Sequence, residues 1–158
     1  MLVLGCTRKK LEPRLDTPLK VNIEFPAGTA VSNYEVLFLD RDGLFYDRVI
    51  ENDPRKAAVG RADAVLPAGR YGILVMVNRV GQFDLYPVPL IPKGSPRSDM
   101  FISPAKERDN SVVGPFLIGY TAECQVHNHQ ESSFTVVMEE LDPGENLNLG
   151  EWTVGAGR

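Results

Sequence analysis

Two groups of residues in this chain have side chains able to hold a metal ion. Glu123, Cys124, His127, His129 and Glu131 crowd into one short stretch. In an extended chain His127 and His129 point the same way, as two ligands of one ion must, and Cys124 faces the opposite side. A zinc set would need a further cysteine pair or a helix-borne histidine, and the sequence supplies neither. Exposed turn residues are the better account. Asp40-Arg41-Asp42-Gly43 has the opening of a calcium loop but lacks the later oxygen ligands at fixed offsets and the closing acidic residue. Aspartate and glycine are also what a tight hairpin uses. Ser111, Ser132 and Ser133 sit in polar turns with no nucleophile elbow, and the two histidines share one loop, so no nucleophile has a base. Gly69-Arg70-Tyr71-Gly72 leads into a strand, whereas a phosphate-binding loop leads into a helix. The reading assigns no catalytic residue, no metal and no cofactor, and the chain is not expected to be an enzyme.

Covalent chemistry has one better candidate. Met1-Leu2-Val3-Leu4-Gly5-Cys6 resembles the end of a bacterial lipoprotein signal, with an apolar tail, a small residue and then cysteine. The charged start and longer apolar core of a full signal are missing. Lipidation is therefore expected at Cys6, with residues 1–18 as a truncated lipoprotein signal and tether. Acyl chains there would hold the chain to a bilayer, each buried CH₂ contributing ~0.8 kcal/mol. The competing reading is a short disordered leader with one cysteine. Cys124 lies within an apolar strand pattern and reads as a small buried thiol, although a Cys6–Cys124 disulfide stays open.

The elements that must position these residues are strands. At 158 residues, with 43% apolar and 24% charged residues, the chain has an ordinary globular composition and enough length to bury a core without a staple. Its net charge of −4 is uneven, because residues 1–20 hold five Lys/Arg against two Asp/Glu. The acidic remainder argues against nucleic acid as a partner, which would require a basic face. Leu19, Val21, Ile23 and Phe25 alternate with Lys20, Asn22 and Glu24, which predicts a half-buried strand. Tyr34–Asp40 and Leu44–Ile50 predict a hairpin across Asp40–Gly43, and residues 51–62 a loop or helical turn. A brief strand is expected at Ala64–Leu66 and a long one at Arg70–Arg79. The long one is apolar on both faces, so something must cover its back.

Phe83–Leu90, broken by Pro87 and Pro89, suits an edge strand or an irregular crossing. Residues 91–97 read as a linker or exposed loop. Further strands are expected at Met100–Ser103, Val112–Ile118, Gly119–Val126 and Ser133–Leu141. Trp152 is the one anchor of the tail. Of the aromatic residues, Tyr46 and Tyr86 are the expected surface members. No stretch supports a helix of ten or more residues or approaches the ~18 apolar residues of a membrane span. The expected fold class is all-β: an antiparallel β-sandwich of transthyretin-like or immunoglobulin-like type, without long helices.

The segment from residue 19 to about 90 resembles the N-terminal domain of the fimbrial anchor and accessory lipoproteins of Bacteroidetes. Those proteins carry a lipobox cysteine and an alternating strand. A run of the form lyvFD.dG.f follows and then, after a loop, l.pG.Y.v.v..N. The matching residues are Cys6, Val21–Phe25, Val36–Tyr46 and Leu66–Asn78. Family members have two sandwich domains and are longer. The expected organisation is therefore a sandwich over 19–95, with 96–158 either completing it or forming part of a second one.

The resemblance implies a non-enzymatic, lipid-anchored protein of the outer membrane and cell surface. It implies a protein partner such as a fimbrial subunit, met by strand addition at an exposed sheet edge. Pro87 and Pro89 would blunt one such edge. Two alternatives remain open: a carbohydrate-binding sandwich that uses exposed aromatics, and a structural module of a phage or secretion machine.

Overall fold

The computed structural model describes residues 13–87 and 90–155. Cys6 and Pro89 lie outside the described residues. Of the proposed tether, only 13–18 falls within them.

The first strand, β1 (Asp16–Glu24), realises the alternation seen in the sequence. Leu19, Val21 and Ile23 are buried, while Glu24 is exposed and Lys20 and Asn22 are half-buried. Next come β2 (Tyr34–Leu39) and β3 (Phe45–Glu51), paired antiparallel through the predicted hairpin. A single helical turn, α1 (Pro54–Ala57), follows. Proline opens it, where its missing N–H costs nothing, and the Asp53 carboxylate accepts from Arg55 N at 3.0 Å.

Strand β4 (Arg61–Pro67) is longer than the brief strand expected, because all seven residues pair antiparallel with β1. It turns into β5 (Gly69–Val77). Two short strands, β6 (Phe83–Tyr86) and β7 (Phe101–Pro104), pair with each other, joined through a stretch that includes a 3₁₀ turn at Arg97–Asp99. The chain closes with β8 (Leu117–Val126), β9 (Ser132–Val137), β10 (Glu139–Glu140) and β11 (Leu147–Asn148).

These strands form three sheets in the orders β4-β1-β9, β10-β8-β5-β2-β3 and β11-β7-β6. The five-stranded sheet lies in the middle. One face packs on the β4-β1-β9 sheet through Val36, Phe38, Tyr71, Ile73 and Val75 together with Leu19 and Val21. Its other face packs on the small sheet and tail through Leu37, Leu39, Leu74 and Met76 together with Ile102, Met100 and Trp152. This explains why β5 is apolar on both sides. The cover expected for its back comes from residues 83–85, 91–102 and 141–152. Each fully buried Leu, Ile or Phe contributes roughly 1.5–3 kcal/mol, so both layers matter to stability.

Four features differ from the expectations. Residues 112–116 are not a strand. Instead β8 starts at Leu117 and runs through Gly119 as one element. The stretch 133–141 breaks at Met138: β9 belongs to the outer sheet and β10 to the central one. The chain crosses between layers at this point, and Gly119 makes room for it, since a Cβ there would lie 2.6 Å from Val137 O. Strands β1 and β9 pair parallel, the one parallel pair among the described strands, because β9 enters the other sheet and does not fold back on β8. Finally, β8 carries a bulge. Tyr71 pairs with Cys124 but Ile73 with Thr121, leaving an extra residue on β8 near Glu123, whose φ is 59°. The bulge reverses the inside-outside parity of the strand and turns Cys124 and Val126 into the core.

Candidate functional site

The hairpin at Asp40–Gly43 is built by its own side chain. Asp40 Oδ1 accepts from Asp42 N at 2.9 Å and from Leu44 N at 3.0 Å, and Gly43 takes the left-handed conformation with φ 79°. Asp40 is thus a turn-forming residue. Beside it lies the β4–β5 turn, where Gly69 leaves space for Arg14. A Cβ at Gly69 would sit 2.9 Å from Arg14 Nη2. Arg14 donates through Nε to Ala68 O and through Nη2 to the Tyr71 hydroxyl at 3.3 Å. The Tyr71 hydroxyl itself donates to Pro67 O at 2.6 Å. Burial pushes the Tyr71 phenol up from its ordinary value, while the Arg14 guanidinium pulls it back.

The third wall is the end of β8. Between the three segments opens a cleft of about 650 Å³ lined by Arg14, Asp40, Arg41, Asp42, Arg70 and His127, with Ala68, Gly69, Gln125, Val126 and Asn128 completing it. Asn128 is fixed in place: it accepts from Leu15 N at 2.9 Å and donates to Pro13 O at 2.9 Å. Arg41, Asp42 and His127 are exposed. Arg70 reaches Glu123 only at 3.8 Å, with both side chains mostly in water, so that pair contributes little.

The structure therefore brings together Asp40, Asp42 and His127, taken from the two metal-like stretches of the sequence, and separates the rest. Cys124 is buried, and burial pushes its thiol up from the ordinary value. Glu131 pairs with Lys20 at 3.3 Å on the outer sheet. No group of three or more His, Cys, Asp or Glu residues gathers into a metal-binding cluster among the described residues. The three arginines escaped the sequence reading because they are far apart in the chain and only the fold joins them.

Two further surfaces bear on function. Tyr86 and Phe101 pair across β6 and β7 and stack with ring centroids 4.7 Å apart at 10°. Tyr46, the other expected surface aromatic, is half-buried with its ring edge-on to Tyr71 at 6.0 Å. The outer sheet ends in two edges, β4 and β9, which carry the exposed side chains Val65 and Val137. In the small sheet β6 is an edge and Pro87 follows it.

This architecture occurs in solved structures. The fimbrial anchor protein Mfa2 from Porphyromonas gingivalis superposes with a TM-score of 0.60 at 14% identity, over 80% of this chain and 51% of that one. A protein from Bacteroides ovatus, provisionally named an adhesin, gives 0.59 at 16% identity over 79% and 46%. A protein from Bacteroides thetaiotaomicron, provisionally named polysaccharide-binding, gives 0.59 at 14% over 77% and 46%. The chain has the fold of Bacteroidetes fimbrial anchor and adhesin-like proteins. It spans about half the length of the solved proteins it matches. No protein-family model matches the chain, and no curated protein sequence matches it significantly.

Within the shared fold, the resemblance motifs acquire physical roles. The Asn that closes l.pG.Y.v.v..N is Asn78, fully buried with φ 63°. Its side chain accepts from Ser32 N at 2.7 Å and donates to Ala30 O and Pro115 O, both at 2.8 Å. It clamps three backbone groups on two segments, around residues 30–32 and at Pro115, which marks it as a residue of architecture.

Proposed function

We propose that this chain is a non-enzymatic, cell-surface β-sandwich, lipid-anchored through Cys6 at the outer membrane and fimbria-associated or otherwise adhesive. The observation that carries the reading is the fold held in common with a fimbrial anchor protein and with proteins named as adhesins. The interior supports a scaffold role. Both faces of the central sheet are buried, and of the conspicuous buried polar groups Glu35 is ion-paired with Arg48 and Arg79 while Asn78 bonds backbone groups. The free edges of β4 and β9 present unpaired backbone groups to which an incoming strand of a fimbrial subunit could pair.

Metabolic labelling with a fatty-acid analogue, followed by co-isolation with surface fimbriae, tests the reading. Label and surface location should both disappear in Cys6→Ser. Label that persists in that variant, or never enters the native sequence, refutes the anchor.

A second reading, a carbohydrate-binding module, draws support from the Tyr86–Phe101 stack, which has Asp84 and Ser103 paired two residues along the same two strands. Stacked aromatics with polar neighbours suit a sugar ring. Saturable binding on a glycan array that is lost in Tyr86→Ala would favour it.

A further inference from the structure

We propose that the cleft between the Asp40–Gly43 turn, the β4–β5 turn and the end of β8 binds the carboxylate of an acidic sugar. This deepens the adhesive reading, and it rests on that reading for the expectation that the protein meets surface polysaccharide.

The first support is charge. The chain as a whole is acidic, at −4, yet this cleft gathers Arg14, Arg41 and Arg70. Arg41 makes no ion pair among the described residues. Arg70 has only its loose contact with Glu123. Both guanidiniums can therefore turn toward a ligand without breaking a strong bond. Arg14 differs: its bonds to Ala68 O and the Tyr71 hydroxyl hold it in place. One fixed and two adaptable planar forks suit a carboxylate, which accepts bidentate bonds.

The second support is the company these arginines keep. Asp40 and Asp42 line the same cleft. They would repel a doubly charged anion such as phosphate. They would accept hydrogen bonds from hydroxyls beside a single carboxylate, which is the pattern of a uronic acid. Gln125 adds a neutral amide, and Ala68 gives a small apolar wall for ring C–H groups. Among the described residues no Phe, Tyr or Trp lines the cleft, so a neutral sugar would find little stacking surface there. The volume of about 650 Å³ falls within the roughly 300–1,000 Å³ usual for small-ligand sites.

The test is calorimetric titration of the purified chain with trigalacturonic acid. Its methyl ester serves as the neutral comparator, and inorganic phosphate and sulfate as simple anions. Saturable binding of the acid, with none of the ester, is expected. Arg41→Ala and Arg70→Ala should each weaken it about tenfold, and Arg41→Lys should recover only part. These side chains are exposed, so unchanged melting temperatures should accompany the losses, and the ester comparison requires no variant at all.

Equal binding of acid and ester overturns the inference. So does binding that survives the double arginine variant, or phosphate and sulfate binding as strong as that of the acid. Failure of the acid to bind also overturns it and leaves the surface reading standing, because labelling at Cys6 measures that separately.

Discussion

Glu35 offers the sharpest test of the layered interior. It lies in β2, opposite Ile50 on one side and Met76 on the other, and is 0% exposed. Its two carboxylate oxygens are each met by one guanidinium. Arg79 Nε donates to Oε1, and Arg48 Nη1 donates to Oε2 at 3.0 Å. Arg79 is itself 8% exposed and also donates to Phe83 O at 2.8 Å, tying the start of the small sheet to the central one. Arg79→Ala strips Oε1 and the Phe83 carbonyl of their partners without letting water in. Breaking a buried pair in this way costs about 3–5 kcal/mol. For a domain of this size that corresponds to a fall in melting temperature of roughly 6–20 °C. Glu35→Leu combined with Arg79→Met removes both charges and keeps the volume, while Arg48, nearer the rim, can turn to water. The double variant should lie within about 2 kcal/mol of the parent, well short of additivity. Urea unfolding with linear extrapolation measures all three proteins. A cost below about 1 kcal/mol for Arg79→Ala would refute the claim that this layer is dry. So would a double variant as unstable as the single one.

Three other outcomes follow from the same geometry. Asn78→Ala should cost about 2–4 kcal/mol in urea unfolding, since it abandons one buried and two part-buried backbone groups and leaves a left-handed φ without the side chain that favours it. Gly119→Ala should destabilise by about 2–4 kcal/mol, because its Cβ would meet the crossing chain at Val137 and Met138, whereas an unchanged midpoint would mean the crossing is loose. Stability should be level from neutral pH to about 9 and then fall. Burial raises the Cys124 thiol above 9.0 and the Tyr34 and Tyr71 phenols above 10.0. A raised acid contributes stability below its unfolded value and loses it as pH rises through the folded one. Urea midpoints that increase between pH 9 and 11 would contradict this.

What the sequence displayed depended on the range of the interaction. The alternation in β1, the Asp–Gly hairpin and the two-faced β5 are set by neighbours a few residues apart, and each could be read directly. The bulge at Glu123 could not, because a glutamate with positive φ has no local signature and owes its conformation to the pairing with β5. Cys124 and His127 do face opposite ways, buried and exposed, but the pairing drawn for the two histidines assumed an extended segment, whereas β8 ends at Val126 and His129 takes a φ of 62° in the turn beyond it. The small sheet rests on four-residue strands, too short for a period to show. The cleft is the extreme case. Arg14, Arg41 and Arg70 become neighbours only after three separate turns have been placed at one end of the sandwich.

The layering also decides where recognition can occur. A two-layer sandwich leaves two outer faces, but here both faces of the central sheet are covered over most of their area, and β5 and β8 reach solvent mainly where they meet at the cleft. Its edges are closed only in part. Strand β10 is two residues long, and Phe45 at the start of β3 already bonds to Gly94 and Ser95. The outer face of β1 and β9 is polar and self-satisfied through Asn22 to Ser133 and Lys20 to Glu131. What remains are the strand edges, chiefly β4 and β9 and the part of β3 beyond Phe45, together with the Tyr86–Phe101 stack and the loop ends around Arg41. Edges can recruit another chain through backbone groups and so discriminate weakly by sequence. Loop ends hold adaptable charge and can discriminate by chemistry. The core thus divides the exposed recognition surfaces, with backbone pairing possible at the strand edges and choice by ligand chemistry at the ends of the sandwich.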